Sequence, residues 1–360
     1  MKHLYQALML TTMALILPSI GMGCSGNYGK KEEQYPRIYN ETIKGLWEPG
    51  AWQQLAEFAN DAAGEKRLKS LGLNTISVVA SFYALQDGQY SLPHRDSIER
   101  EIERYKKLGF AVFLSGNSKS YSNGSQQQVD PEKVLENYLL SCKKAAIELA
   151  EIGEQYNVEY YSPSNELEGT LDNEAFPSYL QSQNFNPPET PFDAPDEGTN
   201  NRVKVASEWM RNILPSLENV FSGKIIAKVG GSHPDYNVEG YDYLAFTIDS
   251  HYLNKPDFRR LINKQYIEIA QSATNSGVSW MVGEAYFHHG EPGMDMDTET
   301  KEFLKDMQQH YFDISLDEYI LFDQVPKPLG YIFIGYFMEG IEIKDSVSEA
   351  VIGNYFELMH

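Results

Sequence analysis

The sequence predicts an α/β fold, a (β/α)8 TIM barrel. Three observations carry that reading. Short, continuously apolar segments recur from Ile43 to Gly335, as expected of strands buried on both faces. Longer amphipathic segments separate most of them, so strand and helix alternate. No glycine-rich turn follows the first strand, as an open dinucleotide-binding sheet would require; the nearest cluster, Gly21-Met22-Gly23-Cys24-Ser25-Gly26, opens no strand–helix unit.

The elements follow in order. Ile43-Lys44-Gly45-Leu46 is the first strand, and residues 51–71 read as one helix with Gly64 weakening its middle. Residues 74–82 (NTISVVASF) are β-branched and apolar, the second strand. A helix over 96–108 puts Ile98, Ile102, Tyr105 and Leu108 on one face and closes at Gly109. Residues 110–114 (FAVFL) form the third strand and 131–152 the next helix. Cys142 lies on that helix's apolar stripe, as a core residue. The fourth strand is 158–162, ending at Asn165-Glu166. A loop rich in Pro, Asn and Asp then runs from Leu167 to about Thr199, long enough to suggest a cleft wall or lid. A helix over 202–214 leads to the fifth strand, 224–229 (KIIAKV), and then the sixth, 243–248 (YLAFTI). A helix over 256–270 precedes the seventh strand, 280–283, which ends at Glu284. Asp297 is placed to cap the following helix. The eighth strand is 330–335 and the last helix 346–356.

The N-terminus reads differently. Lys2, the apolar run 4–22 and the small residue before Cys24 form a lipoprotein-type export signal over 1–23, with Cys24 as the lipidation site. Residues 24–35 are a polar tether, and 36–360 a single barrel. This reading places the domain at the cell surface or otherwise outside the cytoplasm, held by a lipid anchor. The net charge of -21, with no basic cluster, argues against nucleic acid as a partner. Nothing indicates an obligate protein partner, a cofactor or a resident metal. The segment His288-His289-Gly290-Glu291 with Asp295 and Asp297 lacks the His-x-x-x-His spacing of a zinc helix.

Two carboxylates at strand ends carry the chemistry. Glu166 and Glu284 can flank one glycosidic bond, one as acid and the other as nucleophile. The aromatic residues Trp47, Trp52, Phe82, Tyr83, Tyr286 and Phe287 lie near strand ends, where sugar faces stack or the barrel packs. Trp47 is the favoured platform ahead of Trp52, and Tyr286 is a candidate substrate contact. Asn117 and Lys44 are placed to reach hydroxyl groups, and His288 to touch substrate. Glu168 is a weaker candidate for the acid, and Asp172, Glu174 and Asp193 are expected in solvent.

These segments (VEYYSPSNELEG, TIDSHY and VSWMVGEAYFHHG) resemble the clan of retaining glycoside hydrolases on (β/α)8 barrels that contains cellulases, endo-mannanases and endo-galactanases. The resemblance implies that Glu166, after Asn165, is the acid/base and Glu284 the nucleophile. It implies that His251 or Tyr252 supports Glu284, and that Asn165 binds a sugar hydroxyl. The chain departs from the pattern twice. The second strand ends without the usual Arg, the nearest being Arg95; the eighth ends without the usual Trp, offering Tyr336 or Phe337. The reading is therefore a retaining hydrolase of β-linked glucan, mannan or galactan. Two alternatives stand beside it: a surface lipoprotein that only binds carbohydrate, and a metal-dependent hydrolase using 288–297.

Overall fold

The computed structural model describes residues 35–48, 52–85, 87–119, 130–182, 195–248, 257–287, 298–337 and 342–359. Within them the strands are β1 (Ile43–Trp47), β2 (Thr75–Ala84), β3 (Tyr90–Ser91), β4 (Ala111–Lys119), β5 (Tyr160–Ser162), β6 (Lys224–Val229), β7 (Tyr243–Ile248), β8 (Ser279–Ala285) and β9 (Pro328–Ile334). All but β3 pair in parallel, in the order β1-β9-β8-β7-β6-β5-β4-β2, and β1 also pairs with β2. The sheet therefore closes into the eight-stranded barrel the alternation predicts. The short β3 is extra, an antiparallel return beside the end of β2.

Alternation along each strand divides the apolar residues into two cores. Ile43, Ala111, Phe113, Tyr160, Ile226, Ala245, Met281 and Ile332 fill the barrel interior. The opposite faces pack outward against the helices, for example Val112, Leu114, Phe246 and Phe333 with Cys142, Leu149 and Ile269. Cys142 is buried as expected, and burial pushes its thiol up to about 12. It is an inert core group.

The N-terminal end of the barrel is sealed by charge as well as by packing. Lys106 and Glu159 form an ion pair whose side chains are 1% and 0% exposed. Glu159 also accepts hydrogen bonds from Val112 N and Ile38 N, each at 2.8 Å, so the buried charge is fully engaged. Chemistry is left to the opposite, carboxyl end.

The helices are α1 (Trp52–Asn60), α2 (Ala62–Ser70), α3 (Arg95–Lys107), α4 (Pro131–Gln155), α5 (Leu167–Thr170), α6 (Glu197–Glu218), α7 (Phe258–Ser276), α8 (Thr298–Leu321) and α9 (Val347–Leu358). The single helix predicted over 51–71 is two. Asp61 breaks it, because its carboxylate accepts from Ala63 N and Gly64 N and so caps a new helix. Gly64 is not the break but its enabler: a Cβ there would lie 2.0 Å from Phe58 O. Strand β4 runs past the predicted Leu114 through Asn117 to Lys119, paired with β2 throughout. Helix α6 passes the predicted end at Leu214 and carries Pro215 inside it. Buried Leu214 and Leu217 hold that last turn on the core. No helix among the described residues is long and apolar enough to cross a membrane.

Candidate active site

Glu166 and Glu284 are brought together at the carboxyl end of the barrel. Neither position is a simple continuation of its strand. Beyond β5 the chain bridges to β6 once more, at Asn165 opposite Lys228, and Glu166 N donates to Lys228 O at 3.4 Å. Glu166 itself is left-handed (φ 58°, ψ 51°), a conformation that costs a non-glycine residue energy and clusters at functional sites. Its carbonyl then accepts from Gly169 N and Thr170 N, starting α5. The turn is braced from below. Glu168 accepts from Gly230 N and, at 3.0 Å, from the Tyr236 hydroxyl, tying the turn to the loop after β6. Glu168 is buried among these partners, so it is a brace and not an acid facing the cleft.

Glu284 reaches the site through a β-bulge. Strands β7 and β8 pair Phe246 with Val282, but Thr247 with Glu284, so Gly283 is the extra residue. Val282 and Ala285 pack on the outer core, and Met281 faces the barrel interior. Without the bulge, simple alternation would send Glu284 outward with Val282. The extra residue turns it inward. Gly283 also faces inward and must lack a side chain: a Cβ would lie 2.8 Å from both Ala245 Cβ and Lys228 Cδ.

Lys228 lies between the two carboxylates. It is buried, on the inward face of β6, and donates to Glu284 Oε2 at 3.0 Å, Glu166 Oε1 at 3.1 Å and Thr247 Oγ1 at 2.8 Å. Thr247 in turn donates to Glu166 Oε1. Sharing one ammonium in this way brings the two carboxyls together, and they are near enough to hydrogen-bond to each other as well. Glu284 is the deeper of the two, its side chain 11% exposed against 31% for Glu166.

The ionisation of the pair departs from expectation. An acid/base role for Glu166 calls for a raised carboxyl, and a nucleophilic role for Glu284 calls for an ionised one. Burial instead pushes Glu284 up to about 7, against the attraction of Lys228 and with added repulsion from Glu166. Burial also pushes Glu166 upward, but Lys228 and Thr247 outweigh it and leave this carboxyl below its ordinary value. The physical content belongs to the pair. Two adjoining carboxylates with one ammonium share a proton, and burial favours placing it on the deeper Glu284.

Around the pair the cleft is lined by Trp47, Asn117, Ser118, Asn165, Gly169, Thr170, Asp172 and Asn173. The expected substrate contacts Trp47, Asn117 and Asn165 are thus beside the carboxylates. Trp47 and Asn117 also line an adjoining cavity with Trp52, Ser77, Ser81 and His94, so the open space extends over β1, β2 and β4. Tyr286 is half-buried just past Glu284, whose charge raises the phenol further after burial has done so. His251, Tyr252, His288 and Cys24, with Asp193 and the 288–297 segment, lie outside the described residues. Among the described residues no group of three or more His, Cys, Asp or Glu is placed to hold a metal ion.

Several expectations are corrected. Lys44 points away from the cleft, donating to the Phe356 carbonyl at the end of α9. Arg95 pairs with Glu99 and Glu148 and does not serve Glu284. Tyr336 turns outward to Glu349 and Phe337 packs on Phe58, so neither forms a floor under the carboxylates. Asp172 is exposed as expected, and it also lines the cleft and accepts from Ser182 N and Oγ, with Arg202 at 3.3 Å. Phe82 and Phe287 are core residues. The residues sequence reasoning missed are Lys228, Thr247 and the bulged Gly283.

No family model and no curated protein matches the chain. Solved structures do. A GH113 β-1,4-mannanase aligns over 88% of this chain and 99% of its own, with TM-score 0.60 and 12% identity. The endo-1,4-β-mannanase of Rhizomucor miehei covers 90% and 98%, with TM-score 0.52 and 10% identity. The endoglucanase Cel5A of Pseudomonas stutzeri covers 89% and 97%, with TM-score 0.51 and 10% identity. At these identities the shared feature is the fold. It is the fold of the group of enzymes that the strand-end motifs resemble.

Proposed function

We propose that the protein is a retaining glycoside hydrolase acting on a β-linked oligo- or polysaccharide. The observation that carries this reading is the carboxylate pair: Glu166 and Glu284 meet at the open end of the barrel, bound to one ammonium and near enough to interact with each other. The mannanase and endoglucanase neighbours support it through their fold. The extended cleft past Trp47 suits several sugar units better than one.

The chemistry follows from depth and exposure. Glu284, deeper, attacks the anomeric carbon as the bond to the leaving oxygen breaks. Glu166, nearer solvent, gives that oxygen its proton. Water then attacks the anomeric carbon, the ester bond to Glu284 breaks, and Glu166 takes the water proton. This cycle needs the shared proton on Glu166 at its start, whereas burial favours it on Glu284. The two arrangements contain the same number of protons, so a bound sugar can select one without exchange with solvent. Asn165 and Asn117 supply amide groups to hydroxyls, and Trp47 a ring face.

The test is hydrolysis of β-1,4-mannan, β-1,4-glucan, β-galactan and xylan by protein lacking residues 1–24. The expected outcome is cleavage of one polymer with retention at the anomeric carbon, followed by proton NMR, and loss of at least about 10²-fold in Glu284→Gln and Glu166→Gln. Equal cleavage by all three proteins rejects the mechanism. Glycan binding without cleavage moves the reading to a carbohydrate-capture protein. The export and lipidation reading places the enzyme at the cell surface. Fatty-acid labelling of the full chain, lost in Cys24→Ser, supports it; labelling that persists in that variant counts against it.

A further inference from the structure

A lysine buried inside the barrel and bonded to both catalytic carboxylates has no part in the scheme above. Lys228 is the only cation among the described residues within ion-pair distance of Glu166 or Glu284. Its placement is built at three points. The inward face of β6 carries it, Gly283 leaves room for its methylenes, and Thr247 takes its third hydrogen. Such a group costs stability, because moving an ammonium out of water is unfavourable even with partners.

Resting on the glycosidase reading, we infer that Lys228 is a positioning residue that acts as common counter-ion to the acid and the nucleophile, facing ionised Glu284 before the glycosidic bond breaks and ionised Glu166 after it. The charge count supports this. Before attack, Glu284 is anionic and Glu166 neutral. In the glycosyl-enzyme, Glu284 is an ester and Glu166 is anionic. One anion faces one ammonium at each stage, and the two acceptors stand at 3.0 and 3.1 Å from the same nitrogen. The hand-over needs no movement of the lysine, so the field at the site is organised in advance for both half-reactions. The remaining groups around this cluster are Thr247 on β7, Tyr286 after β8, and Glu168 with Tyr236 behind the Glu166 turn; none adds a second cation.

The alternative use of a buried barrel lysine is as an amine nucleophile forming a Schiff base, which requires the neutral form. Two carboxylates in contact favour the ammonium and oppose that use.

The test compares Lys228→Met, Lys228→Gln and Lys228→Arg on the polymer identified above and on an activated aryl glycoside. Because the cation favours every deprotonation of the pair, both limbs of the kcat/KM pH profile should move upward in Met and Gln, by about one to three pH units. Arg, which keeps the charge, should hold both limbs near the wild-type positions even where the rate falls. The activated substrate needs no proton donation, so its kcat reports hydrolysis of the intermediate; its acid limb should also move up in Met and Gln. A lysine of purely structural importance would lower rate and stability while leaving the limbs in place, and that result overturns the inference. It does so only where Glu166→Gln and Glu284→Gln are inactive; if those variants are active, the glycosidase reading itself fails. Should the neutral variants not fold, nitrogen-15 NMR of the Lys228 ammonium in the wild-type chain decides. A side chain that stays charged beyond pH 9 supports the inference, and one that titrates near neutrality, with borohydride trapping of a carbonyl compound, overturns it.

Discussion

Gly283→Ala tests whether the bulge and the lysine are one mechanical unit. A Cβ at residue 283 would lie 2.8 Å from Ala245 Cβ and 2.8 and 3.1 Å from Lys228 Cδ and Cε. Non-bonded carbons settle at about 3.5–4.0 Å, so each contact must open by roughly 0.5–1 Å. Ala245 is fixed in β7 and fully buried, and has no rotamer to change. The lysine stem is the part that can move. Overpacking of this size costs about 1–3 kcal/mol. Moving the stem by about 1 Å also carries the ammonium out of hydrogen-bond range of one carboxylate. Misplacing a group in a reacting constellation by that distance lowers the rate by up to about 10²-fold.

The assay is paired: urea unfolding followed by tryptophan fluorescence, and kcat/KM on the same preparation. Ala245→Gly in the same background separates the two contacts. It removes the clash between the Cβ atoms and should return part of the stability, with a coupling energy of about 0.5–3 kcal/mol. It leaves the methyl against Lys228, so most of the activity loss should persist. A Gly283→Ala protein within about 0.5 kcal/mol of wild type in stability, and with wild-type kcat/KM, would refute the argument.

Two further outcomes are expected. The wild-type kcat/KM profile should be a bell, because activity requires one proton on the pair: it should fall at alkaline pH as that proton leaves near the value of about 7 set at Glu284, and at acid pH only below the ordinary glutamate range, where Glu166 also protonates. A profile still rising above pH 9 would contradict this assignment. Glu168→Gln, which keeps an acceptor for Gly230 N and the Tyr236 hydroxyl, should retain activity, while Glu168→Ala strands both donors at about 1–3 kcal/mol each and should show as a lowered urea midpoint; loss of activity in a stable Glu168→Gln protein would make Glu168, and not Glu166, the acid.

The barrel was legible because its evidence is periodic. Apolar runs such as residues 224–229 and 243–248, with amphipathic stretches between them, carry strand and helix in the pattern of side chains alone. Glu166 and Glu284 were legible as candidates because both follow such runs. What could not be read is how they turn inward. Strict alternation from Met281 and Val282 sends Glu284 to the helix layer, and only an unpaired Gly283 reverses it. A bulge is a relation between two strands, and no single segment shows it. Asp61 is similar: its side chain competes locally with the helix, and only the packing of α2 against Phe58 shows which conformation wins.

Lys228 is a different kind of omission, because a signal was present. It is one of two lysines in the run 224–229, two after Ile226, and a strand repeats every two residues. If Ile226 faces the barrel interior, Lys228 must as well, one layer nearer the open end. A charge there cannot be left unpaired, so it demands an anion at the carboxyl end of a neighbouring strand. The two anions already assigned to that end were Glu166 and Glu284. The same reasoning bears on the missing second-strand Arg. A site that gathers buried carboxylates needs a cation but does not prescribe which strand supplies it, and here β6 supplies it from below the pair.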